Sequence, residues 1–167
     1  MAGKHLCLLG RFSVELDDVD RKILRLLQAD ARISYRAIAE KVGIRAPSVH
    51  ARVKRLEEEG VITGYHAVVD PVKVGLPMTA FVTIGLEGGR KGNVPRTEAI
   101  SALLRKHPEV TEVHAITGED DLLVKLRVAD IAGLERVLIR VLEPLEGVRR
   151  TTTMIVVRTL FDRETPV

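Results

Sequence analysis

At 167 residues the chain has room for one medium domain or two small ones, and 46% hydrophobic with 29% charged content is that of a folded globular protein rather than a disordered one. The net charge of +3 names no partner, because basic and acidic residues number 12 and 10 up to Asp70 and 14 and 13 beyond it. A single cysteine, Cys7, excludes an intramolecular disulfide framework and fits a reducing cytoplasm, and no run approaches the roughly 18 apolar residues of a membrane span.

Residues 1–15 show no helical period and read as an N-terminal extension. It is either an arm that joins an oligomer or an unstructured or misassigned start ahead of Val14. Asp17 then caps a helix predicted over 18–29, with Asp20 near N3 favourable to the helix dipole and Val19, Ile23, Leu26 and Leu27 as its core stripe. Ser34 is placed to cap a second helix, with Ile33 and Ile38 as a hydrophobic staple and Ala37, Ile38 and Val42 buried. Gly43 supplies the left-handed residue that turns the chain sharply, and Pro47 fits the first turn of a third helix.

In that third helix Val49, Val53 and Leu56 recur at core spacing. Pro47, Ser48, His50, Ala51, Lys54 and Arg55 then point outward, with Arg52 on the flank. Between Arg45 and Arg55 every ionisable side chain is basic or histidine; Glu57, Glu58 and Glu59 follow only afterwards. Arginine and lysine neutralise phosphates or bond guanine edges, and serine and histidine reach groove edges or backbone. A hairpin is expected over 61–70. Helix, glycine turn, basic helix and hairpin make a winged helix-turn-helix over residues 16–70, a module that lays one helix in the DNA major groove. Its candidate DNA contacts are Arg36, Arg45, Pro47, Ser48, His50, Ala51, Arg52, Lys54 and Arg55.

Asp70-Pro71 and Gly75-Leu76-Pro77 mark a linker over 71–77. Beyond it, strands are predicted over 78–87, 110–116, 122–128 and 150–160, and helices over 97–106 and after Asp130, with a loop over 88–95. This is βαββαβ, a ferredoxin-like domain over 78–162 followed by a tail over 163–167, so the fold class is α+β. Such a sheet carries helices on one face only. The last strand is nevertheless apolar on both faces, Met154 and Val156 alternating with Ile155 and Val157, so a homodimer packed sheet to sheet is expected.

The segments LDDVDRKILRLLQADAR, SYRAIAEKVGI and VKRLEEEGVITGYHAVVDPVKVG, with ITGEDDLLVKL and its Thr-Gly-x-x-Asp core, resemble the Lrp/AsnC family of prokaryotic transcription regulators over nearly all of the chain beyond Leu16. The resemblance implies dimers that assemble into tetramers, octamers or rings, and palindromic promoter sites on double-stranded DNA. It also implies a small effector, commonly an amino acid, bound between subunits by the ferredoxin-like half. Thr117, Gly118 and Asp121 match the family's effector loop, and Glu119 and Asp120 complete it. The glycine exposes backbone N–H groups that suit a carboxylate, and Asp121 suits an ammonium.

Two departures qualify the likeness. Asp120 stands where the family often has an aromatic residue, and three successive acids leave open a basic ligand such as lysine or arginine, or no ligand, the loop then being a plain turn with solvated acids. Arg45 stands where the family often has serine, so a helix cap is exchanged for a cation that can bond a phosphate or a base.

Catalysis finds no support in these residues. His5, His50, His66, His107 and His114 lack metal-ligand spacing, no cofactor motif is present, and PMTAFVTIGLEGG lacks the Arg-His cluster of the sirohaem decarboxylases that share this architecture. Phe81 and Phe161 form no base-stacking platform for RNA. The expected function is a cytoplasmic, effector-modulated, sequence-specific DNA-binding regulator without cofactor. An effector-independent architectural protein shares every one of these features.

Overall fold

The computed structural model describes residues 14–88, 94–163 and 165–167. The expected extension up to residue 13, and residues 89–93 of the expected loop, lie outside them. The chain divides into two compact units, one built on the segment up to Ala67 together with the residues from Arg163, the other on Val68–Asp162. In the first unit the C-terminal residues lie along the first helix, where Arg25 Nε donates to the Val167 carbonyl at 2.7 Å and Gln28 Nε2 to that of Thr165 at 2.8 Å.

Helices α1 (Asp18–Ala29), α2 (Tyr35–Val42) and α3 (Ala46–Glu58) begin and end where local chemistry dictates. Asp17 forms a full capping box: its Oδ1 accepts the Asp20 N–H at 2.7 Å, and Asp20 Oδ2 accepts the Asp17 N–H at 3.2 Å. Ser34 Oγ accepts the Ala37 N–H at 3.2 Å, and Gly43 ends α2 at φ 80°. Arg45 occupies the N-cap of α3 and makes no side-chain cap, as its lack of an acceptor requires, while Pro47 sits in the first turn. Ile23, Leu27, Ile38, Ala39, Val49 and Val53 form the core, and Leu24 is buried where the apolar period points to Leu26, which is only half-buried.

The hairpin expected over 61–70 does not form: no residue from 61 to 77 pairs in a ladder, and every side chain over 63–70 is exposed. The end of α3 closes instead on its own last turn, the Val61 and Ile62 N–H groups both donating to the Leu56 carbonyl at 2.8 and 3.0 Å. Two short strands without a buried face have no energy to set against their ordering entropy.

The second unit is a four-stranded antiparallel sheet in the order β2-β3-β1-β4, from β1 (Met78–Leu86), β2 (Val110–Ala115), β3 (Leu122–Val128) and β4 (Val148–Ile155). Two helical crossovers, α4 (Val94–Leu104) and α5 (Ile131–Val137), complete βαββαβ. Val82 pairs with Val124 on one side and Thr153 on the other, which puts Ala80, Val82, Ile84, Val124 and Leu126 on the face that packs against Ile100, Leu104, Leu134 and Val137.

Beyond shifts of one or two residues at the ends of β1, α4 and β2, three differences from expectation stand out. The helix expected from 97 starts at Val94, because Pro95 is acceptable in a first turn. α5 continues as a π-helical turn, Leu138–Leu142, which carries Leu142 into the core. The last strand covers Val148–Ile155 rather than 150–160: its final ladder bond is Val156 N–H to the Thr79 carbonyl at 2.9 Å, and Val157, Leu160 and Phe161 beyond it are exposed. The open face of the sheet is mixed rather than uniformly apolar. Phe81, Leu123 and Met154 share it with Thr83, Thr152 and a Glu112–Lys125 ion pair of 2.7 Å.

Candidate functional site

The outward face of α3 is built by default, since Val49, Val53 and Leu56 take the core and leave their intervening neighbours to solvent. Arg45, Pro47, Ser48, His50, Ala51 and Lys54 are all exposed there. Arg36, on α2, pairs with Glu40 at 3.3 Å, and Lys54 with Glu58 at 3.6 Å; these are exposed i,i+4 pairs that solvent and salt loosen readily. Among the described residues Arg45 meets no carboxylate, so its guanidinium is available to an incoming anion. The His50 ring stands edge-on to Tyr35 with centroids 5.6 Å apart, which holds the imidazole on this face.

Arg52 and Arg55 are placed differently from the expectation. Arg55 Nη2 donates to Asp20 Oδ2 at 2.6 Å, and Arg52 Nη1 donates to Asp20 Oδ1 at 2.8 Å and to Asp17 Oδ2 at 2.7 Å. The Asp20 side chain is 1% exposed, so α3 sends two cations inward to a buried carboxylate on α1. The outward reading of Arg55 is thereby qualified: its side chain is 43% exposed, but one guanidinium nitrogen is tied to Asp20. Helical period sets where its Cα lies, but a long side chain follows the strongest available acceptor. Of the acids that end α3, Glu57 accepts the Tyr65 hydroxyl at 2.8 Å. Tyr65 as a whole is 46% exposed, but local desolvation of its hydroxyl, and then this bond to a carboxylate, push the phenol up to about 12.

The second candidate site is the turn between β2 and β3. Gly118 takes φ 134°, and the turn closes through Ile116 N–H to the Asp121 carbonyl at 3.0 Å. Asp121 is also tied to β1: its N–H donates to the Ile84 carbonyl at 2.9 Å, and its Oδ2 accepts the Leu86 N–H at 2.8 Å. This qualifies the view of Asp121 as an ammonium ligand, since one carboxylate oxygen already anchors the turn to the sheet.

Glu119 and Asp120 are not solvated acids standing alone. Arg150, from β4, donates Nη2 to Glu119 at 2.9 Å and Nε to Asp120 at 2.8 Å. A hydrogen bond from Thr83 and then the Arg150 cation hold the Asp120 carboxyl below its ordinary range. Gly85 leaves the space for this pair: a Cβ there would lie 2.9 Å from Asp120 Oδ1 and 3.4 Å from the Arg149 guanidinium. The loop is therefore a mixed-charge cluster of Glu119, Asp120, Arg149 and Arg150 around two glycines, with Thr117 exposed beside them.

Reading along the chain missed Asp17 and Asp20 as partners of α3, and Thr83, Gly85, Arg149 and Arg150 as partners of the turn. The first pairing spans 32 to 35 residues and the Arg150 part of the second 30 or 31, beyond any local period. One signal was available for the second: in a βαββαβ sheet β4 lies beside β1, which brings the start of β4 to the end of β1 where the turn is anchored.

Comparison with known proteins agrees with both halves. Residues 16–63 match the family model described as winged helix-turn-helix DNA-binding, and residues 79–166 match that described as the Lrp/AsnC ligand binding domain. The HTH-type transcriptional regulator FL11 of Pyrococcus furiosus is 38% identical over 143 residues, covering 86% of this chain and 90% of its own. Among solved structures, E. coli AsnC superposes with a TM-score of 0.84 at 28% identity, over 92% of this chain and 100% of that one. The Neisseria meningitidis transcriptional regulator NMB0573, in an L-Met complex, superposes with 0.82 at 27% identity, over 92% and 96%. These relatives are named as regulators rather than enzymes, which sets the decarboxylase alternative aside. The chain belongs to the Lrp/AsnC family of DNA-binding transcriptional regulators, with a ligand-binding domain after its winged helix-turn-helix.

Proposed function

We propose that α3 enters the major groove with Arg45, Pro47, Ser48, His50, Ala51 and Lys54 toward the bases and nearest phosphates, and Arg36 toward the flanking backbone. The observation that carries this reading is the exposed, carboxylate-free run from Arg45 to Ala51, with no carboxylate on the Arg45 guanidinium among the described residues. Two copies would present two such helices to a palindromic promoter site, the open sheet face being where they join and larger rings assembling from dimers. Its place of action is the cytoplasm, with the DNA. Gel-shift titration of a duplex selected from random sequence tests the reading. Arg45→Ala and Lys54→Ala together should weaken binding and flatten its salt dependence; unchanged affinity would remove α3 from the interface.

For the effector we propose a zwitterionic amino acid at the turn formed by Thr117, Gly118, Glu119, Asp120 and Asp121. Arg150 offsets the acidity that favoured a basic ligand, and with Arg149 it offers a cation for an α-carboxylate while Glu119 and Asp120 offer acceptors for the ammonium. The L-Met complex of a structural neighbour supports the class of ligand. A thermal-shift screen of the amino acids tests it: stabilisation by neutral ones is expected, stabilisation by lysine and arginine alone would restore the basic-ligand reading, and none at all would favour the architectural alternative.

A further inference from the structure

We infer that Asp20 is a positioning residue for DNA recognition, and that Arg52 and Arg55 brace α3 against α1 instead of contacting phosphate. The inference rests on the reading of α3 as the DNA-facing helix. Its basis is a network of two arginines and the two acids at the start of α1, with Glu59 at its edge, 4.0 Å from Arg55 Nε. Asp20 Oδ1 takes Arg52 at 2.8 Å, Asp20 Oδ2 takes Arg55 at 2.6 Å, and Asp17 Oδ2 takes Arg52 at 2.7 Å. The two acids are themselves locked to one another through the capping box that starts α1.

Geometry makes this a brace rather than a single tether. Arg52 and Arg55 are three residues apart, so they leave α3 from successive turns on the same side. A helix tied at one point can roll about its axis, whereas one tied from two turns to a single buried carboxylate cannot. The roll of α3 decides which of Arg45, Ser48, His50 and Ala51 faces a groove floor, so the brace sets the reading frame of the outward face. The arginines are not free to leave it. Arg55 Nε is enclosed with no hydrogen-bond partner, and swinging either guanidinium to a phosphate would take one of its two cationic partners from a carboxylate that is 1% exposed. With Glu59 counted, three acids face two arginines, so the network adds no net attraction for a polyanion.

The full chain tests this, with a duplex selected from random sequence by the unaltered protein and each variant assayed well below its own melting midpoint. Arg55→Lys keeps the charge and loses the planar fork; Asp20→Asn keeps the shape and loses the charge. Each should lower affinity about tenfold or more while moving the slope of log K against log salt by less than about 0.4, under half the value of one phosphate contact. The double variant should lose less than the sum of the two, because both break one network. Wild-type affinity for Arg55→Lys would overturn the brace, since a lysine serves a phosphate as well. So would a lowered melting midpoint with DNA affinity intact, or a slope shallower by about 0.9 in Arg55→Ala. Should Asp20→Asn fail to fold, Arg55→Lys decides alone. Losses at Arg45→Ala and Lys54→Ala with none at residues 20 and 55 would overturn the brace and leave the α3 reading standing; no loss at any of them would overturn both.

Discussion

Asp120 and Arg150 meet at 2.8 Å across a gap that exists because residue 85 has no side chain. The pair joins the β2–β3 turn to β4 over the end of β1, and Asp121 makes a second tie through the Leu86 N–H. The turn is thus held from two strands at once.

Gly85→Ala should break this arrangement. The added Cβ would lie 2.9 Å from Asp120 Oδ1 and 3.2 Å from Arg150 Cγ. Asp120 is short and held by Thr83 as well as Arg150, so it has little room to yield. We expect a loss of about 1–3 kcal/mol, read as a lowered denaturation midpoint. Stability equal to the parent would mean that the pair swings aside freely and that Gly85 imposes nothing on the turn.

Acid stability should register the same pair. Asp120 is depressed below its ordinary value of 3.8, first by the Thr83 hydrogen bond and then by Arg150. A carboxylate with a lowered folded pKa contributes stability that is complete above the unfolded value and disappears as pH falls through the folded one. The window therefore opens just below about pH 4 and extends downward. Glu112, depressed by Lys125 and His114, adds to the same limb. Melting midpoints of Asp120→Asn should fall less steeply with acid than those of the parent; parallel curves would deny Asp120 a depressed pKa.

These two sites show which features a sequence can carry. Asp17, Ser34 and Gly43 act within a few residues of themselves, so the limits of α1 and α2 were readable, and so was the sheet, whose alternation at residues 122–128 is the burial pattern itself. Failures came where the deciding partner is distant or absent. The apolar run 154–157 promised a strand as far as 160, yet β1 begins at Met78 and leaves nothing for residues 158–160 to pair with. The segment 61–70 had hairpin residues and no surface to bury. Both candidate segments stand out along the chain by residue type, but their charge balance does not, because Arg150 and Asp20 lie 30 or more residues from the groups they neutralise.

Tyr65 gives an alkaline counterpart. Its phenol donates to Glu57, and local desolvation of the hydroxyl with that neighbouring charge raises it from 10.0 to about 12. For an acid whose neutral form is favoured by folding, the contribution is intact below pH 10 and is lost as pH climbs from there toward 12. The chain has two tyrosines and no tryptophan, so ultraviolet titration of tyrosinate resolves each. One phenol should ionise about two units later than a free one, and Tyr65→Phe should remove that late step. A late step that survives the substitution would deny it to Tyr65.

Arg45 is predicted to trade stability for binding. It occupies the N-cap of α3 yet gives the helix no side-chain acceptor; Pro47 has no N–H, and the Ser48 N–H donates to the Arg45 carbonyl at 2.9 Å. A serine hydroxyl there can share the Ser48 N–H, so Arg45→Ser should raise folding stability by about 0.5 kcal/mol, the low end for a cap. The same change deletes the cation on this face that no carboxylate holds among the described residues, so DNA affinity should fall. If Arg45 meets a phosphate, the loss is uniform across sequences and the salt slope becomes shallower by about 0.9. If it bonds a guanine edge, the loss is about 1–3 kcal/mol and confined to duplexes that carry that base. Selecting duplexes from random sequence with both proteins separates these outcomes. A variant that gains stability and keeps both its affinity and its preferred sequence would show that Arg45 stands clear of the DNA, and that the uncapped helix start has some other cause.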